Sequence, residues 1–181
     1  VSVNLLNDYD YGLRSVFNNR LVFPIHNQHK NTVGFSARSI IDDSNIPKYI
    51  NSNENLIYTK GDILYNYHRA YESAKKEGRV YLVEGVMDAI AYYQGDILNV
   101  VASLGTALTN KQAELRKSMA NHVVISYDGD SAGQMATVKA INTLIKHRFT
   151  IEVLDGFNDL DPDDYIKKYG KDKFNEALED K

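Results

Sequence analysis

From Arg79 onward the chain alternates short apolar runs with segments of helix length, and no other feature constrains the fold as much. Val80–Val83, Leu98–Ala102, His122–Tyr127 and Phe149–Leu154 read as strands. Helices are expected between them over residues 86–94, 110–120 and 131–147. Short apolar strands separated by helices of this length imply an α/β fold, a mainly parallel, Rossmann-like sheet with helices on both faces. Ligands of such sheets sit at the carboxyl ends of the strands, so the residues immediately after each strand matter most.

The first part of the chain follows a different pattern. Leu21–Ile25 and Thr32–Arg38 read as two extended segments joined by the polar turn at 26–31, with Pro24 suited to an edge strand. A short extended piece follows at Pro47–Asn51, then a helix from about Gly61 to Lys76 that stops before Gly78. The first ten residues are polar and read as a poorly ordered lead-in. The expected division is a small mixed α/β basic subdomain over 1–78, the parallel-sheet domain over 79–164, and the start of a helical subdomain over 165–181.

With 181 residues and 43% apolar content, the chain can build one compact domain or two small lobes sharing an interface. No stretch approaches the roughly 18 apolar residues of a membrane span, and the start lacks a signal-peptide pattern, so the cytoplasm is expected. A start on Val1 reads as a piece of a longer protein. Zero cysteines exclude disulfides and a zinc ribbon within this chain, and the five histidines lack metal-ligand spacing. The net charge of −3 is unevenly spread. Residues 11–81 hold ten Lys/Arg against six Asp/Glu, whereas residues 82–181 hold eleven against sixteen. A basic lobe facing an acidic one could hold a polyanion with its metal ions, although a solvated surface with chance asymmetry explains the charge alone equally well.

The carboxylates fall at the strand ends. Glu84-Gly85 follows the first strand, with Asp88 one helical turn on; Ser103-Leu-Gly105-Thr106 follows the second; Asp128-Gly129-Asp130 follows the third; Asp161-Pro162-Asp163 follows the fourth. Parallel strands bring these ends to one rim, where the carboxylates would repel one another and raise each other's pKa. A divalent cation such as Mg²⁺, held by carboxylates and substrate phosphate, is the natural compensation, and two ions would serve an in-line displacement at phosphorus. Gly85, Gly105, Gly129 and Gly133 are expected to permit tight turns and close approach of backbone to ligand. Taken singly, Asp-Gly-Asp could be a plain turn and Glu84 a charged strand terminus.

Glu84-Gly-x-x-Asp88, Leu104-Gly-Thr106 and Asp128-Gly-Asp130-x-Ala-Gly133 resemble, in this order, the Toprim domain shared by DnaG-type primases, topoisomerases and some nucleases. The resemblance implies Glu84, Asp128 and Asp130 as central acidic residues, with Asp88, Asp161 and Asp163 completing a metal site for two or more Mg²⁺ or Mn²⁺ ions. Upstream, the segments Arg20–Ile25, Val33–Arg38, Pro47–Ser52 and Lys60–Tyr65 resemble the N-terminal subdomain of the DnaG polymerase core. That resemblance implies that Arg38, Lys48 and Lys60 grip nucleotide or nucleic-acid phosphate. Arg20 and Asn51 belong to the same motifs. Asn53 and Asn55 depart from the Pro and Thr of that pattern, which bears on the loop rather than on the cations.

The activity so implied is synthesis of short RNA primers on single-stranded DNA, with ribonucleoside triphosphates and an RNA primer as partners and a replicative helicase as partner of the parent protein. Glu84 is the candidate general base, or else a metal ligand. A Toprim nuclease or topoisomerase fragment is the alternative enzyme, although no motif singles out a nucleophile among the thirteen tyrosines. A receiver-like phosphoacceptor domain would want a lysine after a later strand, which 150–155 does not supply. The run Tyr58, Tyr65, Tyr67 and Tyr71 is read as core rather than as a stacking platform for bases.

Overall fold

The computed structural model describes residues 5–9, 12–154, 157 and 160–179. An antiparallel hairpin of β1 (Leu6–Tyr9) and β2 (Gly12–Ser15) comes first. The expected lead-in is thus a paired strand at Leu6–Tyr9, while residues 1–4 and 10 lie outside the described residues. Main-chain pairing holds this hairpin, and both Leu6 and Leu13 stay exposed, so no burial pattern announced it.

β3 (Arg20–His26), β4 (Thr32–Ser39) and β5 (Tyr49–Asn51) form a second antiparallel sheet in the order β3-β4-β5. Pro24 lies on the edge strand β3, where a missing N–H is tolerated. Beyond it, the helix expected over 61–76 is divided. A single 3-10 turn spans Lys60–Asp62, the chain then extends, and α1 runs only over Tyr67–Glu77, ending at Gly78 with φ 68°. The division is tertiary in origin. Tyr65 exchanges two backbone hydrogen bonds with Ala102, at 2.9 and 3.2 Å, and Asn66 takes a positive φ while its Nδ2 donates to the Val100 carbonyl. Pairing with a remote strand overrides the local helical period.

β6 (Arg79–Val83), β7 (Val100–Ala102), β8 (His122–Ile125) and β9 (Thr150–Val153) form a parallel sheet in the order β7-β6-β8-β9. α2 (Val86–Gln94), α3 (Asn110–Lys117) and α4 (Ser131–Lys146) are the intervening helices. Because side chains alternate along a strand, Val80 and Leu82 pack with α1, α3 and α4 on one face, through Ala74, Ala113 and Leu144. Tyr81 and Val83 face the opposite way, toward Ala89 and Tyr92 of α2. A third cluster, including Ile25, Val33, Tyr58, Val86 and Leu104, joins the antiparallel sheet to the rim of the parallel one. Tyr58 and Tyr67 are buried, in agreement with the core reading of the tyrosine run.

The last helix, α5, spans Pro162–Glu179 and is kinked at Gly170. It begins before residue 165 and supplies Tyr165, Phe174 and Leu178 to the α2 face of the sheet. Phe174 is fully buried, stacked on Phe157 at 5.0 Å and edge-on to Tyr92 at 5.2 Å. Phe174→Ala is expected to lower unfolding free energy by about 3–5 kcal/mol, checked by urea denaturation followed by circular dichroism. A loss under about 1 kcal/mol would show that α5 adds little to this core.

Candidate active site

A cleft of about 410 Å³ opens between the antiparallel sheet and the carboxyl ends of the parallel strands. Glu84, Asp88, Asp128, Asp161 and Asp163 line it from the parallel sheet, and Arg38, Lys48 and Asn51 from the other side. The parallel register carries this arrangement: Val83 lies opposite Ala102, and Leu82 opposite Ile125, so the chain leaves β6, β7 and β8 at one level. β8 ends earlier than expected, at Ile125, and Ser126-Tyr127 leads on to Asp128.

Four of the acidic side chains are each tied to the backbone by one oxygen. Asp88 Oδ2 accepts from the Gly85 N–H at 2.9 Å, and Glu84 Oε1 from the Asp128 N–H at 3.3 Å. Asp161 Oδ1 accepts from the Asp164 N–H at 2.7 Å at the start of α5. Asp130 Oδ1 accepts from the Gly133 N–H at 2.8 Å as the N-cap of α4; Asp130 is exposed and does not line the cleft. These bonds orient the carboxyl groups, and those of Glu84, Asp88 and Asp161 keep their second oxygen for the cleft.

Burial raises the pKa of Glu84, and the charges of Asp128 and Asp130 add to the effect. Asp128 is raised by burial and then by Asp161 and Asp130. Asp88, the most enclosed of these three, is pushed up to about 7, chiefly by burial and against the stabilising Gly85 hydrogen bond. Among the described residues, no three His, Asp or Glu side chains close into a ready-made metal cage. The carboxylates instead ring the cleft, and such a donor set suits a hard divalent cation that keeps waters and takes further oxygens from substrate phosphate.

Asp163 has a different environment. It is 6% exposed, and its carboxylate pairs with Arg38 Nη1 at 3.7 Å and with Lys167 Nζ at 2.5 Å. Two cations already neutralise it, and the Arg38 pair links β4 to α5 across the cleft. The Arg38 guanidinium also lies 5.7 Å from the centre of the Tyr49 ring. Tyr49 and Ser36 line the cleft but did not stand out in the sequence, nor did Lys167. The four-residue spacing of Asp163 and Lys167 was the available signal.

Lys60 and Arg20 do not line this cleft. Lys60 is in the 3-10 turn, where its N–H donates to Glu54 at 3.1 Å. Arg20 donates to the Pro47 carbonyl at 2.8 Å and so anchors the segment that carries Lys48. Of the four glycines, Gly105 needs its freedom for a φ of 68°, and Gly133 needs it for space. A Cβ at Gly133 would lie 2.1 Å from the Asp128 carbonyl oxygen and 3.0 Å from Glu84 Oε1. Gly85 and Gly129 have no positive φ, and open space surrounds a Cβ at Gly129.

The chain matches two family models in order, "DNA primase catalytic core, N-terminal domain" over residues 1–71 and "Toprim-like" over residues 81–166. It is 41% identical over 158 residues to a DNA primase of Halalkalibacterium halodurans, covering 87% of this chain and 26% of that protein. Against a DNA primase of Clostridium acetobutylicum it is 43% identical over 163 residues, covering 90% of this chain and 27% of that protein. The chain thus spans about a quarter of the length of these curated relatives. Its fold is similar to the zinc-binding and RNA polymerase domains of the Aquifex aeolicus primase, with a TM-score of 0.88, 38% identity and coverage of 97% of this chain and 43% of that one. It is also similar to a DnaG primase catalytic domain bound to single-stranded DNA, with a TM-score of 0.85, 33% identity and coverage of 98% and 58%. Ordered motifs, a parallel sheet with acidic strand ends and a preceding basic sheet agree with these likenesses, and the chain belongs to the family of DnaG-type primase catalytic cores.

Proposed function

We propose that this chain is the part of a primase that performs template-directed ribonucleotide transfer, making short RNA primers on single-stranded DNA for replication in the cytoplasm. The observation that carries the reading is the cleft itself, with carboxylates from three strand ends on one side and Arg38 and Lys48 on the other. In the reaction, the 3′ oxygen of the growing primer bonds to the α-phosphorus of a ribonucleoside triphosphate, its proton passes to solvent, and pyrophosphate leaves. Glu84, Asp88, Asp128 and Asp161 are the residues that would hold two or more Mg²⁺ or Mn²⁺ ions, with Asp130 and Asp163 beside them. Such ions stabilise charge on the attacking and leaving oxygens. Arg38 and Lys48 orient the phosphates, one with a planar fork and the other with a compact charge, and Lys60 contacts nucleic acid outside the cleft.

The likeness to a structure bound to single-stranded DNA supports the template as partner. In organisation, residues 1–78 form the basic subdomain, 79–164 the catalytic unit, and 165–181 the start of a helical subdomain that rests on the catalytic unit through α5. The chain has no cysteine, so zinc has no thiolate ligand here.

Independent experiments test this reading. Mn²⁺-soaked crystals should show anomalous density at Glu84, Asp128 or both, and Asp128→Asn should weaken Mn²⁺ binding while raising metal-free stability by relieving repulsion. Asp88 adds a pH dependence: its folded pKa lies above its unfolded one, so metal-free stability should fall as pH rises from about 4 through about 7. Asp88→Asn should flatten that fall in urea titrations run with chelator, and an unchanged profile would count against a neutral Asp88.

Single-stranded DNA binding should weaken with salt, and alanine at Lys48 or Lys60 should reduce the salt slope by about one per lost phosphate contact. An unchanged slope in the double variant would remove these lysines from the interface. Finally, with an annealed RNA primer, ribonucleotides and Mn²⁺, the chain should extend the primer slowly, and Glu84→Gln should abolish extension without unfolding the protein. Cleavage of DNA without any extension would favour the nuclease branch of the Toprim family.

A further inference from the structure

Two cations share one oxygen of Asp163, at unequal distances. Lys167 Nζ donates to Asp163 Oδ2 at 2.5 Å, whereas Arg38 Nη1 stands 3.7 Å from the same oxygen, too far for a hydrogen bond. The four-residue spacing along α5 brings Lys167 to Asp163, and Asp164 Oδ1 lies 3.8 Å from the same ammonium group. Asp163 is 6% exposed, so its carboxylate is costly to leave without a cation.

Arg38 is left with its donors unused. Among the described residues its guanidinium makes no hydrogen bond, and charge and stacking locate it instead. It lies 5.7 Å from the centre of the Tyr49 ring, and Tyr49 is its cross-strand partner on β5. The side chain is 32% exposed and lines the cleft, so a ligand there can reach it. A guanidinium and a carboxylate that meet without a competitor close into a fork of two hydrogen bonds, which takes up the donors a phosphate would need. Here Lys167 is the competitor. It does not itself line the cleft, so its influence on a ligand passes through Asp163.

We propose that Lys167 is a positioning residue for nucleotide binding: by holding Asp163 Oδ2, it keeps the Arg38 fork open toward the triphosphate in the cleft. The inference rests on the reading of Arg38 as a phosphate-binding group. Without Lys167, the nearly buried Asp163 has Arg38 as its only cation, and the two close on each other. The substrate phosphates then compete with a carboxylate for the same N–H groups, and binding weakens although no residue that touches the substrate has changed.

The test compares wild type, Lys167→Met, Lys167→Arg, Arg38→Ala and the double variant Asp163→Asn/Lys167→Met. Calorimetry gives the affinity for Mn²⁺ and, at saturating Mn²⁺, for ATP; primer extension gives kcat and KM. Lys167→Met should bind ATP about 10-fold more weakly, the scale of one charge-assisted hydrogen bond, with nucleotide KM raised to match and kcat little changed. Lys167→Arg, which keeps the charge and the donor, should bind ATP like wild type. In the double variant the carboxylate that captures Arg38 is gone, so ATP affinity should recover; a role confined to packing α5 predicts no recovery. Wild-type ATP affinity in Lys167→Met, an equal deficit in the double variant, or weakened Mn²⁺ binding in Lys167→Met each overturns the inference and leaves the phosphate reading of Arg38 standing. If Lys167→Met does not fold, Lys167→Gln decides: weaker ATP binding at unchanged stability supports the inference, and unchanged binding overturns it. Wild-type ATP affinity in Arg38→Ala overturns the phosphate reading of Arg38, and this inference with it.

Discussion

Repulsion among carboxylates at the end of a parallel sheet is the constraint around which this structure is arranged. The in-register pairing of β6 with β7 and β8 leaves Glu84 and Asp128 at one level, and α2 and the start of α5 add Asp88 and Asp161. Burial and neighbouring charge push Glu84, Asp88 and Asp128 toward their neutral forms. The protein tolerates this by giving Glu84, Asp88 and Asp161 a backbone N–H each and by bringing cations from another sheet to the opposite side of the cleft.

The Arg38–Asp163–Lys167 cluster shows how the same chemistry serves architecture. Asp163 is nearly buried, and breaking its pairing would leave an uncompensated charge inside the protein. Since Arg38 belongs to β4 and Asp163 to α5, the pair fixes the basic sheet relative to the acidic rim. The apolar cluster of Ile25, Val33, Tyr58, Val86 and Leu104 adds a non-directional contact beneath the same junction. The cleft therefore depends on an electrostatic contact between β4 and α5 and on the apolar cluster that joins the antiparallel sheet to the rim.

Backbone detail then sets where individual groups point. Gly133 lets α4 start against the Asp128 carbonyl, closer than any side chain allows. Asp130 caps that helix, so its negative charge sits at the positive end of the helix dipole and outside the cleft. Asp161 does the corresponding work at α5 while still lining the cleft. Capping and cleft lining thus coincide in one residue and separate in the other.

Period and spacing along the chain determined a good deal of this protein. The α/β class, the hairpin of β3 and β4, the extent of α2 and the order of acidic strand ends follow from alternation and helical spacing, which are local consequences of backbone geometry. Tertiary structure decided the rest. Tyr65 pairs with Ala102 and so shortens α1, while the early hairpin at Leu6–Tyr9 forms without an apolar face to announce it. Asp163 is drawn into an ion pair, Lys60 and Arg20 are left outside the cleft, and Arg116 is buried with no hydrogen-bond partner among the described residues. Each of these outcomes depends on residues far apart in the chain meeting in space, and a one-dimensional pattern records which groups are present but not which of them touch.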